Sequence, residues 1–219
     1  MTKILITGGK GRLAAILKKN LNEYDLTFID LPEFDLTDYD KIIKELSNFD
    51  AIIHLAWDSR GENWKNNGIN TDNILMAHNI YKFVINQKIP KVIMMSSIHA
   101  NNYFDKHDQK LITINDEDIP DSPYGASKIF IEKLGQYYSQ KYEINVICPR
   151  IGGVNLSNSP LEYPDEKYYS QIWLNQIDFC NLIRKCIENI DNKFCKFYAV
   201  SNNNNRLHDT SNPIGWLPI

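Results

Sequence analysis

No run of apolar residues in this 219-residue chain approaches the length of a membrane-spanning helix, and no excess of positive charge marks it for nucleic acid or an anionic membrane. Lysine and arginine number 24 against 27 aspartates and glutamates, for a formal net charge of −3 and a pI near 6.0. Cysteine is sparse. The four, Cys148, Cys180, Cys186 and Cys195, have neither C-x-x-C nor zinc spacing, so no metal site or disulfide framework is expected, only free buried thiols in a reducing compartment. The first apolar run starts within a few residues of Met1, leaving no room for a cleavable leader, and the expectation is a soluble cytoplasmic protein. Internal repeats are missing too. What remains, 43% hydrophobic and 23% charged, is ordinary globular composition, sufficient for one α/β domain with a modest appendage.

The chain opens on Ile4-Leu5-Ile6-Thr7, which stops at Gly8-Gly9-Lys10-Gly11-Arg12 and restarts with Leu13, Ala14, Ile16, Leu17 and Leu21 at helical spacing. This reads as strand, tight turn, helix. Glycines allow the backbone to turn sharply and approach a pyrophosphate, while the first amides of the helix face the phosphates. Ala14 stands where the usual dinucleotide fingerprint has its third glycine. A short buried strand, Leu26-Thr27-Phe28-Ile29, then ends at Asp30, about twenty residues beyond Gly11, where a carboxylate can accept both hydroxyls of an adenosine ribose. Its charge favours NAD over NADP. Lys10 and Arg12, either of which can reach a 2′-phosphate, leave NADP open.

Downstream, Thr37 or Asp38 caps a helix running to about Leu46, and the unbroken apolar run from Ala51 to Trp57 predicts a central parallel strand. His54 within it reads as a structural histidine. A long helix spans roughly Thr71 to Gln87, and Lys91 to Ser97 predicts another inner strand that delivers Ser97 at its carboxyl edge. Residues 100–122 read as a surface loop, Ser122-Pro123 opens a helix to about Tyr142, and Asn145 to Pro149 is a further strand. From Gly152 to about Gln176 periodicity fails; a helix from Ile177 and a strand Phe197 to Val200 close the pattern. Alternating strands and helices imply a Rossmann-like, doubly wound parallel sheet that binds ligands beyond the carboxyl ends of its strands. The dinucleotide-binding core is expected over 1–151 and 177–200, with a small discontinuous substrate-binding cap over 152–176 and 201–219.

Tyr124 and Lys128 lie four apart, one turn above each other on one helix face. A phenol is a poor base at neutral pH, with an ordinary pKa of about 10, but a nearby ammonium and a positive nicotinamide ring are expected to lower it. Tyr124 then exchanges a proton with a substrate hydroxyl or carbonyl. Ser97 can hold the same oxygen during hydride transfer.

These residues resemble the extended short-chain dehydrogenase/reductases, the branch of sugar-modifying epimerases, dehydratases and reductases. The resemblance rests on Thr7-Gly8-Gly9-Lys10-Gly11, Asp30, Asp35-Leu36-Thr37-Asp38, His54-Leu55-Ala56, Ser96-Ser97, Ser122 through Lys128, and Pro149-Arg150-Ile151-Gly152. It implies that Ser97, Tyr124 and Lys128 form the catalytic triad, Lys128 also holding the nicotinamide ribose. It further implies cofactor contacts from Gly8, Gly11, Arg12, Leu13 and Asp30, from Asp35 and Leu36 at the adenine, from Leu55, Ala56 and Trp57 beneath the dinucleotide, and from Asn73 and Ile151. Ser97, Tyr124, His99 and Tyr168 are the implied substrate contacts.

Within the branch the chain is similar both to uronate dehydrogenases and to deoxysugar 4-ketoreductases. Ile98 stands where the former have asparagine, and Tyr168 about where they place a carboxylate-binding arginine. Ile98-His99 also replaces the Asp-Glu pair of the dehydratases, so dehydration is not expected. The implied activity is an NAD(P)-dependent oxidoreductase acting on a sugar acid or ketosugar. An epimerase with tightly bound NAD and a catalytically silent dinucleotide-binding protein are the alternatives. A homodimer is expected from apolar residues such as Ile80, Phe83, Phe130, Leu134 and Tyr137 on the two long helices.

Overall fold

The computed structural model describes residues 1–59, 67–102, 111–163, 168–190 and 193–219. Its strands are β1 (Lys3–Thr7), β2 (Asp25–Ile29), β3 (Ala51–His54), β4 (Lys91–Met94), β5 (Ser96–Ser97), β6 (Asn145–Ile151) and β7 (Phe194–Ala199). The helices are α1 (Arg12–Asn20), α2 (Tyr39–Glu45), α3 (Asp72–Gln87), α4 (Pro123–Tyr142), α5 (Tyr169–Ile172) and α6 (Gln176–Glu188), with a 3₁₀ turn at Ile98–Ala100. All strand pairs are parallel, in the order β2-β1-β3-β4-β6, with β5 and β7 also paired to β6. The chain winds outward in opposite directions from β1, and a crevice opens there at the carboxyl ends of β1 and β3.

The apolar runs are continuous because both faces of the sheet are covered. Ile4 and Ile6 pack with Leu17, Phe179 and Ile183 from α1 and α6, whereas Leu5, between them, points to Ile80, Val84 and Ile131 from α3 and α4. Local signals act as expected at the helix starts. Asp38 Oδ1 accepts the Lys41 amide at 3.0 Å, and Ser122 Oγ accepts the Gly125 amide at 3.1 Å with Pro123 in the first turn.

Several expectations are corrected. β2 is half-exposed along its length, since it is an edge strand with β1 as its partner. The run Lys91 to Ser97 breaks at Met95 into two strands. Ile80 and Phe83 are fully buried against the sheet and unavailable to a partner, while Phe130 and Tyr137 are about half exposed. The 100–122 segment is not all surface: Ala100, Asn101 and Ile112 are buried, and Ile112 bridges to His208. Residues 103–110 of it lie outside the described residues.

The chain's last segment packs on the core. Trp216 is buried among the α1 and α6 side chains and donates its indole N–H to the Asp178 carbonyl at 3.2 Å, and Asp178 Oδ1 accepts the Ile219 amide at 2.9 Å. Asn203 Nδ2 donates to the carbonyls of Gln171 and Trp173. The segment thus braces the stretch around α5 from behind.

Candidate active site

The turn after β1 is shaped by contact with the segment after β3. Gly8 has φ +71, and a Cβ there would stand 2.7 Å from the Ala56 amide nitrogen. Only glycine fits. Thr7 fixes the opposing segment: its Oγ1 accepts the amides of Leu55 and Ala56 at 3.2 Å and is 2.8 Å from His54 Nδ1. With two amides pointing at the hydroxyl oxygen, its proton goes to the imidazole. Burial holds His54 down at about 3, so the ring stays neutral and its structural reading stands. Helix α1 starts at Gly11 with no side-chain cap, leaving its first amides for another acceptor.

A cleft of about 1130 Å³ runs from this turn along the carboxyl edge of the sheet. Gly8, Gly11, Arg12, Leu13, Leu55 and Trp57 line its first part. Ser97, Tyr124, Lys128 and Ile151 line it further along with His99, Tyr168 and Ile172, while Tyr163 and Tyr169 lie on the Arg12 side, the Tyr163 hydroxyl 3.5 Å from an Arg12 terminal nitrogen and the two rings 4.8 Å apart. The uncapped amides, the side-chain-free cradle at Gly8 and the cleft's length fit a dinucleotide.

Other expected contacts stand outside this lining. Asp30 is at the rim of the turn, its Oδ2 accepting the Lys10 amide and its Oδ1 the Leu31 amide, both at 2.8 Å. The Lys10 ammonium pairs with Glu33. Asp35 Oδ1 accepts from the Thr37 amide and hydroxyl, closing its own turn, and Leu36 is buried. Ala56 forms the wall against Gly8. Asn73 is turned onto the loop after β3, with Oδ1 accepting the Asp58 amide at 2.7 Å and Nδ2 donating to the Asp58 carbonyl at 3.0 Å.

The three groups expected to converge do so. Ser97 ends β5 and Tyr124 sits in the first turn of α4, which comes close to the 3₁₀ turn because residue 125 is glycine: a Cβ there would lie 2.0 Å from the His99 carbonyl oxygen. The Ser97 hydroxyl stands beside the Tyr124 phenol, near enough to oppose the rise in its pKa, and its oxygen accepts the His99 amide at 3.3 Å. His99 packs edge-on to the Tyr124 ring, centroids 5.7 Å apart, and its Nδ1 lies 2.7 Å from Asp121 Oδ2. Lys128, one turn beyond Tyr124, donates to the Met95 carbonyl at 2.9 Å and lies 3.5 Å from the centroid of the Trp57 ring.

The expected effect of Lys128 on Tyr124 is not found. Burial pushes the phenol up to about 12, with the Ser97 hydroxyl opposing and the Asp121 charge adding to the rise. Burial also pulls Lys128 down to about 7, against the pull of Glu132 and Cys148. The ammonium is directed at a carbonyl and an indole face rather than at the phenol oxygen. Spacing cannot foresee this, because both groups are buried and at each the cost of burying a charge outweighs the pull of its neighbours.

Neither Met95, whose carbonyl takes the lysine, nor Tyr163 and Tyr169 on the Arg12 side of the cleft were anticipated. A backbone carbonyl leaves no mark in sequence, and the tyrosines lie where periodicity fails.

A parallel wound sheet with a glycine-walled cleft and a hydroxyl, phenol and ammonium at its rim defines the architecture of the short-chain dehydrogenase/reductases. The family described as NAD dependent epimerase/dehydratase matches residues 4–165, and this chain belongs to it. The L-arabinose 1-dehydrogenase (NAD(P)(+)) of Haloferax volcanii is 25% identical over 254 residues, covering 100% of this chain and 96% of that protein. The uronate dehydrogenase of Pseudomonas syringae pv. tomato is 26% identical, covering 92% of this chain and 75% of its own length. Among solved structures, uronate dehydrogenase from Agrobacterium tumefaciens superposes with a TM-score of 0.82 at 23% identity, over 100% of this chain and 85% of that one. That last likeness is one of fold.

Proposed function

We propose that this chain is an NAD-dependent oxidoreductase that transfers a hydride between the nicotinamide and a sugar or sugar derivative, with Tyr124 as proton donor and acceptor. The observation that carries the reading is the Ser97 hydroxyl beside the Tyr124 phenol, in the same cleft as the glycine turn. Bound NAD supplies the hydride acceptor. The open amides of α1 and Arg12 hold its phosphates, Asp30 its adenosine ribose, and Lys128 its nicotinamide ribose. Ser97 holds the reacting oxygen while Tyr124 moves the proton.

The described cap residues Gly152, Gly153, Val154, Tyr168 and Ile172 line the cleft with His99 and Tyr124, and offer hydroxyls and aromatic faces suited to the hydroxyls and C–H faces of a sugar. Ile98, buried in the same lining, has no proton to give, in keeping with a reaction without dehydration. NAD is expected to raise the melting temperature more than NADP, because a ligand of the native state stabilises it. L-arabinose, glucuronate and ketosugars are then tested for a change at the nicotinamide absorbance band. Tightly held NAD with no net change points to an epimerase instead, and NADH binding without turnover of any sugar sinks the reading.

Two further expectations accompany this function. Among the described residues no helix is long and apolar enough to cross a membrane, and the four cysteines are free and buried, which suits a reducing cytoplasm. Phe130, Tyr137 and Tyr142 on α4 and Leu75 on α3 are exposed apolar groups, suited to pairing with a second copy. Sedimentation at micromolar concentration is expected to give a dimer, and Phe130→Glu a monomer. A monomeric unsubstituted protein removes this part of the reading.

A further inference from the structure

A second cluster of charged groups lies behind the site, fully out of water. Glu132 is on α4, one turn beyond Lys128, and is 1% exposed; Arg150 in β6 is 0% exposed. Glu132 Oε1 accepts the Ser96 hydroxyl at 2.5 Å and Arg150 Nε at 2.8 Å, and its Oε2 accepts an Arg150 terminal nitrogen at 2.7 Å.

Ser96 and Ser97 are the whole of β5, a two-residue strand cut off from β4 at Met95 and paired to β6 at Ser96↔Arg150 and Ser97↔Ile151. So short a ladder does little to orient a hydroxyl. Ser97 Oγ accepts the His99 amide at 3.3 Å, a long bond, and the two residues before it are gripped by α4 at points one helical turn apart: Lys128 Nζ on the Met95 carbonyl, and Glu132 on the Ser96 hydroxyl. Both grips immediately precede Ser97.

We propose that Glu132 is a positioning residue for the reaction, acting through Ser96 to set the Ser97 hydroxyl against Tyr124, and across one turn of α4 to keep Lys128 cationic. The inference rests on the dinucleotide reading of the cleft. Around Lys128 stand His54 from β3, neutral in its buried place, the Trp57 ring, Tyr124 from its own helix, Cys148 from β6 and Glu132. Burial pushes the Cys148 thiol and the Tyr124 phenol well above neutrality, so among these Glu132 supplies the negative charge at working pH. Arg150 shares that charge but stays hydrogen-bonded to it, so the carboxylate is fixed rather than lost.

The consequences separate position from charge. Glu132→Gln keeps an acceptor for Ser96 and removes the charge that favours the ammonium. A protonated Lys128 donates to a ribose hydroxyl better than a neutral one, so NADH affinity falls as pH rises through its titration. In Glu132→Gln this fall is expected about one pH unit lower than in the unsubstituted protein, the ordinary size of a nearby-charge effect.

Ser96→Ala leaves the ion pair intact and removes the grip on β5. It is expected to keep NADH affinity within about twofold and to lose at least about tenfold in kcat on whichever sugar the unsubstituted enzyme oxidises, with KM little changed. The pH dependence of NADH fluorescence enhancement needs no sugar, so it stands even if the substrate class is wrong; unsubstituted protein that binds no NADH counts against the dinucleotide reading instead. An NADH-binding midpoint unmoved in folded Glu132→Gln overturns the electrostatic part. A crystal structure of Ser96→Ala with the Ser97 hydroxyl still against Tyr124 overturns the positioning part, and it decides the proposal should Glu132→Gln not fold.

Discussion

Tyr124→Phe is expected to lower kcat/KM for the sugar by about 10² to 10⁴-fold, the usual range for losing a general acid or base, while NADH binds within a few-fold of its former affinity. The substitution deletes one oxygen. The phenyl ring keeps its edge contact with His99, and the loss falls on the oxygen that faces Ser97 and on the proton that must leave or join the substrate oxygen.

The direction of reaction matters as well. With burial holding the phenol up at about 12, Tyr124 is a ready donor at neutral pH, when a carbonyl is reduced. In sugar oxidation it acts as base through a small phenolate fraction that grows about tenfold per pH unit below the pKa. Oxidative turnover is therefore expected to climb with pH while NADH affinity declines through the Lys128 titration near 7. Paired measurements of kcat and of NADH dissociation between pH 6 and 10 check this. An active Tyr124→Phe enzyme, or an oxidative rate flat across that range, shows that another group moves the proton.

Much of the fold is legible in the chain because the signals are local. The stop from Ile6 to Gly8, the cap at Ser122-Pro123 and the four-residue interval from Tyr124 to Lys128 each depend on neighbours, and each is found where expected. The meeting of Ser97 with Tyr124 spans two elements and was readable through the strand-end position of the serine together with the family resemblance. The break at Met95 was not. Lys91 to Ser97 is uniformly suitable for a strand, but the flanking pairs put Met95 opposite Pro149, which has no amide hydrogen to give the ladder, and Lys128 takes the Met95 carbonyl instead. Ile80 and Phe83 misled for a related reason: on a helix covered by both a sheet and a second helix, the buried stripe is wider than one sheet face requires. The pKa directions at the site depend on burial, which no spacing records.

The same limit hides the buried charge cluster around Arg150. In the sequence Arg150 is a charge at the end of an apolar strand, and Glu132 a charge in a helix of mixed character; 18 positions apart, they give no sign of pairing. In the structure Arg150 is enclosed. It donates to both oxygens of Glu132, to the Tyr198 hydroxyl at 3.0 Å and to Asp118 at 2.6 Å, and Asp118 is held in turn by Lys196 at 2.6 Å.

Such a pair adds little over a well-packed apolar substitute, yet removing one member leaves the other charge without compensation. Arg150→Met is therefore expected to destabilise the fold by roughly 3–5 kcal/mol, a fall in Tm of about 6 to 20 °C for a chain of this size. Arg150→Met/Glu132→Met removes both charges and is expected to regain much of that loss, leaving Lys196 to pair with Asp118. Heat denaturation of the two variants beside the unsubstituted protein distinguishes the cases. If the single variant melts within a degree or two of the parent, or the double variant melts lower than the single, then packing around the guanidinium stem rather than its charge holds this corner of the sheet together.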